Sequence, residues 1–391
     1  MKTHGLFILS ASLVGCGVGV SEQTQQSQGV AGGKKIFETE TFGGNGRTCR
    51  TCHSKKTGTV SVADVQARFA ADADDFLFVA DGTDDGVGNG VTRILNHATI
   101  RITIPLPFNV SIQEDPSARS VTFLRGIPTT LNTPALDSVL MYDGRAADLP
   151  AQALGAIHAH TENAVEPTPD QLQAIAAFQR TEQFFSADVL RQFALHGGPA
   201  PVLPAGITES EIRGRRFFVD QPRMINPANG LFKLDGFCAH CHSGSMLNAA
   251  NGFNPNFPAG VRFSTARVSQ FNVIGNPVYH WVFTNPDNTT TIAASPDPGC
   301  LLTPNTCQSQ PVPLAAKITQ GFFKTPTLWG LSRTAPYFHD NSAATLEEVI
   351  DEYRRMFAAA GGNEPLTDQD KADMVAYLKL LDVSLDALAA E

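Results

Sequence analysis

Two short stretches govern what this 391-residue chain can fold into: Cys49-Arg50-Thr51-Cys52-His53 and Cys238-Ala239-His240-Cys241-His242. Both read CxxCH. Two cysteines about one helical turn apart can each add to a vinyl group of one haem, and the next histidine then presents its imidazole to the iron. Cys49, Cys52 and His53 are therefore candidates to attach and ligate one haem, and Cys238, Cys241 and His242 a second. His240, between the second pair of cysteines, faces away from the iron in this geometry. A single CxxCH could equally serve a redox or zinc site. Two copies, with no further cysteine pair nearby to complete a four-cysteine zinc site, favour two covalently bound haem c groups.

The first residues point to export. Met1-Lys2-Thr3-His4 is a short, weakly positive start, and GLFILSASLVG is an apolar run too short to span a bilayer. It ends in Leu13-Val14-Gly15-Cys16, which is similar to a bacterial lipobox. On that reading residues 1–16 are a lipoprotein signal, Cys16 is the lipidated residue, and 17–31, with its polar SEQTQQSQG, is a tether. The alternative is an ordinary secretory signal with a chance cysteine. Either way the expected location is the cell envelope, periplasmic or anchored to the outer membrane, with the lipid as the sole membrane contact. Of the seven cysteines, Cys300 and Cys307 remain, in a Pro/Asn-rich loop. A disulfide between them suits an exported chain, and two free thiols are the other reading. The formal charge is −9 with no Lys/Arg block, which argues against nucleic acid and leaves a basic protein partner open.

Apolar residues make up 42% and charged residues 17%, so a buried core is readily supplied. GGKKIFETETFGGNGRTCRTCH and RGRRFFVDQPRMINPANGLFKLDGFCAHCH share a basic, Phe-containing helix start, a glycine-bearing loop and then the motif. This weak repeat predicts a mainly α fold of two cytochrome-c-like helical domains, 32–200 and 201–391, divided in the Pro/Gly-rich stretch 196–210. Residues 92–112 show β-branched alternation and predict a hairpin containing His97, which could face solvent or a haem. Residues 169–196 carry apolar side chains at helical spacing and read as core helices of the first domain. Residues 245–320 form a long insertion with little helical pattern, in which 279–283 read as a short strand. A last helix opens at Thr367, with Asp370 three residues on.

Several stretches resemble one family. Tyr142-Asp143-Gly144-Arg145-Ala146, followed by Gln152, Ala153, Gly155, Ile157 and Glu162, is similar to a segment of bacterial dihaem cytochrome c peroxidases. Lys324-Thr325-Pro326-Thr327-Leu328, Ala335-Pro336-Tyr337-Phe338-His339-Asp340 and Thr345-Leu346-Glu347-Glu348 resemble three further motifs of that superfamily, which includes the methylamine-dehydrogenase maturation enzymes. The resemblance implies an N-terminal haem where peroxide reacts and a C-terminal haem that takes electrons from a donor. It implies partners of a matching kind: hydrogen peroxide, and either a small electron-donor protein (a cytochrome c or cupredoxin) or an oxidised protein or organic substrate. It also raises calcium, because Thr334 and Pro336 match positions whose carbonyls help to hold that ion.

The sixth ligand of the second haem separates two chemistries. Thr345 and Glu348 form a capping box, so a helix starts near Leu346. Leu346, Val349, Ile350, Tyr353 and Phe357 then fall in one apolar stripe, with Tyr353 near its centre and Met356 at its edge. The interval from His339 at which the peroxidases place an axial methionine also lands on Tyr353, as in the maturation enzymes. Tyr353 is the expected ligand and Met356 the runner-up. Thioether ligation favours ferrous iron, whereas a phenolate favours ferric iron.

The family's distal glutamate is missing, since Leu149 is followed by Pro150 and Ala151, and Leu140 and Met141 stand where a distal glutamine would precede Tyr142. Peroxide cleavage needs an acid/base over the iron. His158, His160 and Glu162 are candidates for that role, with surface or interdomain positions as the alternative. Trp329 is a candidate relay or an ordinary core aromatic. The sequence therefore predicts a dihaem c-type oxidoreductase that reduces peroxide or uses it for oxidation. A non-catalytic electron-transfer cytochrome and a protein-modifying or oxygenase dihaem enzyme are the alternatives.

Overall fold

The computed structural model describes residues 22–388, except 135, 182–183, 305 and 308–310. The expected signal 1–16, with Cys16, and the start of the tether lie outside the described residues. From Glu22 onward the segment expected as a tether is helix.

The chain runs through α1 (Glu22–Thr39), α2 (Cys49–Cys52), α3 (Val62–Ala71) and α4 (Thr92–His97), then β1 (Thr99–Pro105), β2 (Val110–Ile112) and β3 (Ser120–Gly126). Next come α5 (Leu149–His160), α6 (Pro169–Thr181), α7 (Asp188–His196) and α8 (Glu209–Arg215). The insertion holds β4 (Phe263–Ser264), α9 (Val268–Phe271), β5 (Tyr279–Thr284), β6 (Thr290–Ser295) and α10 (Leu314–Gln320). After β7 (Phe323–Lys324), α11 (Leu346–Ala360) and α12 (Asp368–Leu388) complete a mainly helical fold with minor sheets.

The weak sequence repeat has a structural counterpart. α1 crosses α6 at Gly33, where a Cβ would stand 1.9 Å from the Ala174 carbonyl oxygen. α8 crosses α12 at Gly214, where a Cβ would stand 2.0 Å from the Asp373 carbonyl oxygen. Only glycine lets two helix backbones approach so closely. Four residues beyond each glycine a phenylalanine enters a core. Phe37 packs edge-on against Phe178 and Phe185, at 5.6 and 5.4 Å between ring centres. Phe218 stacks on Tyr377 at 5.3 Å.

A third core joins the two stretches that interrupt the helices. Ile100, Ile102 and Ile104 alternate inward along β1, as the period of two requires. The partner of β1 is β3, in antiparallel register from Thr99 opposite Gly126 to Pro105 opposite Ser120. The hairpin expected within 92–112 is thus corrected: 92–97 is helix, His97 ends it, and β2 pairs elsewhere. β2 joins β5, with Ile112 opposite Trp281, and β5 pairs β6. The insertion therefore shares one buried core with residues 60–127.

α7 also departs from expectation. Its Leu190 packs with Phe217, Trp329 and Leu346, in the core of the second helical cluster. Helical spacing identifies an apolar face but not the core that receives it. Asn132 secures this crossover: its Nδ2 donates to the Trp329 carbonyl at 3.0 Å, and its Oδ1 accepts from Ala187 N at 3.0 Å.

Candidate dihaem site

Each CxxCH loop is closed by the chain that follows it. His53 Nδ1 lies 2.8 Å from the Gly58 carbonyl oxygen, and His242 Nδ1 lies 3.0 Å from that of Leu247. A carbonyl only accepts, so Nδ1 carries the proton and Nε2 is left with its lone pair in both rings. Burial pushes the His53 imidazole down to about 4 and lowers that of His242, so both are neutral at physiological pH. Burial also raises Cys49 and Cys238 to about 12 and Cys241 to about 11. Among the described residues no three His, Cys, Asp or Glu side chains converge as metal ligands. Four free cysteines and two histidines with a free Nε2 fit two haem c groups.

The second loop opens on an apolar cavity lined by Cys238, Cys241 and His242 on one side and by α11 on the other. Thr345 Oγ1 accepts from Glu348 N, giving α11 the expected cap. Val349, Ile350, Tyr353, Met356 and Phe357 all line the cavity, so the helix presents a wider face than its central stripe, and Met356 is not confined to an edge. The Tyr353 hydroxyl has no hydrogen-bond partner among the described residues. Burial, reinforced by the thiols of Cys238 and Cys241, holds its phenol well above the usual range. Only a cation beside it would favour the phenolate.

Three motif residues form the opposite wall: Tyr142, Lys324 and His339. His339 is stacked on Phe323 at 3.8 Å, with its Nε2 3.4 Å from Ser269 Oγ. Behind them lies a buried ion network that the sequence did not reveal. Arg125 bonds Asp143 at 2.7 Å and both oxygens of Asp297 at 2.7 and 3.0 Å. Asp143 also takes Arg145 at 2.9 Å. The Asp-Gly-Arg motif thus anchors the turn that carries Tyr142. The sequence offered no signal for Asp297, which lies in the insertion.

The three distal candidates do not form a cluster. His158 is exposed and bonds Glu166 at 2.9 Å, and Glu162 is exposed. His160 turns inward, with Nδ1 on Asp81, whose other oxygen meets the buried Arg47. His160 is close enough to His53 to bias its protonation. His240 lies outside the second cavity against Phe237, at 5.3 Å between rings. Trp329 is buried, with Nε1 donating to the Ser245 carbonyl at 2.8 Å. Pro336 forms a cis bond with Ala335, and Thr334, just before it, donates its Oγ1 hydrogen to Leu331 O. Cys300 and Cys307 are disulfide-bonded.

A family model described as di-haem cytochrome c peroxidase matches residues 27–194. The chain is 24% identical over 268 residues to cytochrome c551 peroxidase of Nitrosomonas europaea, a match covering 65% of this chain and 64% of that protein. It is 28% identical over 295 residues to methylamine utilization protein MauG of Methylophilus methylotrophus, covering 68% and 70%. The chain thus spans just under two thirds of the first relative's length. Among solved structures, a MauG-like protein associated with microbial copper homeostasis is similar, at 20% identity, TM-score 0.47, and coverage of 92% of this chain and 90% of that one. The two CxxCH loops are built alike, the family match runs through the first of them, and the chain is similar to di-haem cytochrome c peroxidases and to MauG over about two thirds of its length.

Proposed function

We propose that this protein is an exported dihaem c-type oxidoreductase that reduces hydrogen peroxide, or uses it to oxidise a substrate, with electrons passing between the two haems. The observation that carries this reading is the duplicated proximal arrangement, in which each CxxCH histidine is oriented by a carbonyl five residues downstream. The bound haems would supply the redox chemistry. The four motif cysteines would attach them, and the Nε2 atoms of His53 and His242 would bind the irons. Tyr353 is the favoured sixth ligand at the second haem. Its unpaired hydroxyl, on the wall of the cavity that Cys238, Cys241 and His242 also line, supports it over Met356.

Of the three distal candidates, His160 is the best placed to handle a proton. Asp81 fixes its Nδ1 side, and its Nε2 has no partner among the described residues. The exposure of His158 and Glu162 weighs against them. The partner would be a small cytochrome c or cupredoxin, or an oxidised protein or organic substrate, met in the periplasm or at a lipid-anchored location. Calcium at Thr334 and Pro336 rests on the resemblance alone.

A non-catalytic electron-transfer cytochrome is the second reading. Pro150 and Ala151 at the start of α5 favour it, since neither can act as an acid. Peroxide assayed with a series of reduced one-electron donors separates the two. Turnover with any donor supports the enzyme. Fast redox exchange without turnover supports the carrier, and modification of an organic or protein substrate without a cytochrome donor supports an oxygenase or protein-modifying enzyme.

A further inference from the structure

A second cavity, of about 450 Å³, lies between the two helical segments, and none of the six CxxCH side chains lines it. Its walls come from residues 134–149, from the end of α6 at Arg180, and from Met246, Asn248 and Arg262 of the second segment. The volume falls in the range of about 300–1,000 Å³ typical of small-molecule sites. Leu136, Leu140, Leu149 and Met246 contribute apolar surface to a lining that is otherwise polar.

Asp137 and Arg262 pair with each other, whereas Asp148 and Arg180 have no ionic partner among the described residues. Asp137 takes Arg262 at 2.8 Å and Lys324 at 3.5 Å. Arg262 also donates to the Asn248 carbonyl at 2.6 Å. Asp148 caps α5 by accepting from Ala151 N at 2.8 Å. Arg180 is half-buried, yet its side chain makes no hydrogen bond, ion pair or ring contact among the described residues. A guanidinium is always charged and carries a fork of donors matched to a carboxylate. Left unpaired on the wall of a partly apolar hollow, it offers a matched partner to a planar anionic group attached to an apolar body.

We infer that this cavity is a binding site for a small organic carboxylate, with the carboxylate on Arg180 and the apolar body against Leu140, Leu149 and Met246. A ligand here is one wall away from the second haem-motif cavity. Leu140 and Ala146 pair across the turn whose tip, Tyr142, lines that cavity, and Asp137 is tied to Lys324 on its far side. The inference concerns binding alone and stands whether or not the protein turns over peroxide.

The test is calorimetric titration of the mature dihaem protein with 2-naphthoate and with its neutral isostere 2-naphthamide, alongside Arg180→Gln and Met246→Trp variants. The haem absorbance is recorded in parallel. The expected result is one saturable naphthoate site, at least tenfold weaker naphthamide binding, and an unshifted Soret band. Arg180→Gln should weaken naphthoate at least tenfold and leave naphthamide unchanged, and Met246→Trp should abolish both. No saturable binding, equal affinity for acid and amide in the wild type, or a Soret shift with affinity indifferent to Arg180→Gln would each overturn the inference. The wild-type comparison decides the matter even if a variant fails to fold.

Discussion

His242 and Leu247 are joined by a 3.0 Å hydrogen bond from the imidazole Nδ1 to the main-chain carbonyl, and His53 and Gly58 repeat that bond at 2.8 Å with the same five-residue spacing. The loop after each motif therefore selects the tautomer of its own histidine. Such outer-shell bonds orient a ligand ring and raise its basicity.

Replacing His53 or His242 with glycine should leave both haems covalently attached, because attachment resides in the cysteines. Each variant should lose the spectrum of one imidazole-ligated haem, and added imidazole should restore it. A spectrum unchanged by either substitution would remove that histidine as a ligand.

Tyr353 and Met356 line the same cavity, so ligand identity is decided by substitution. Tyr353→Phe should abolish the ferric low-spin signal of the second haem in electron paramagnetic resonance, while Met356→Leu leaves it intact. Tyr353→Met should raise that haem's reduction potential, since a thioether favours the ferrous state. The reverse pattern in the two single variants would assign the ligand to Met356.

The two glycine crossings predict a matched pair of stability defects. A Cβ at Gly33 or Gly214 meets backbone oxygen within 2.0 Å, which no side-chain rotation relieves. Gly33→Ala and Gly214→Ala should each destabilise the fold by about 1–3 kcal/mol, the usual range for overpacking. Thermal unfolding of the two variants measures it, and an unchanged midpoint would contradict the crossing geometry.

Arg125 supplies a pH signature. Burial alone would raise the Asp143 pKa, but Arg125 and Arg145 outweigh it and hold the carboxyl below its ordinary value. A depressed carboxylate contributes stability that is present above its unfolded pKa of about 3.9 and is lost as pH falls through its folded value. Asp143→Asn should cost about 3–5 kcal/mol at neutral pH, because Arg125 keeps its burial but loses a partner. The gap from wild type should narrow as pH drops below about 4. Urea unfolding across pH checks both, and a gap constant with pH would refute the ionic account.

Sequence alone located the features whose cause is local. The CxxCH loops, the Thr345–Glu348 cap, the helix after Thr367 and the strand around Trp281 each depend on residues within a few positions of one another. The repeat GGKKIF and RGRRFF was visible too, although the reason for its glycines appeared only when α6 and α12 were seen crossing them. What stayed hidden depends on distant segments. The Asp297 partner of Arg125 lies in the insertion, and Asp81 reaches His160 from the other side of the sheet strands. β2 finds β5 rather than a neighbouring strand. Leu190 shows the same limit, since its apolar spacing is as consistent with the first core as with the second core it enters.

The most direct test of the central claim is the mass of the mature protein after denaturation, paired with its alkaline pyridine haemochrome spectrum. The account predicts a polypeptide carrying the mass of two covalently bound haems, and a haemochrome equivalent of two per chain. After expression alongside a competent cytochrome c maturation system, a bare chain with no retained haem absorbance would contradict it.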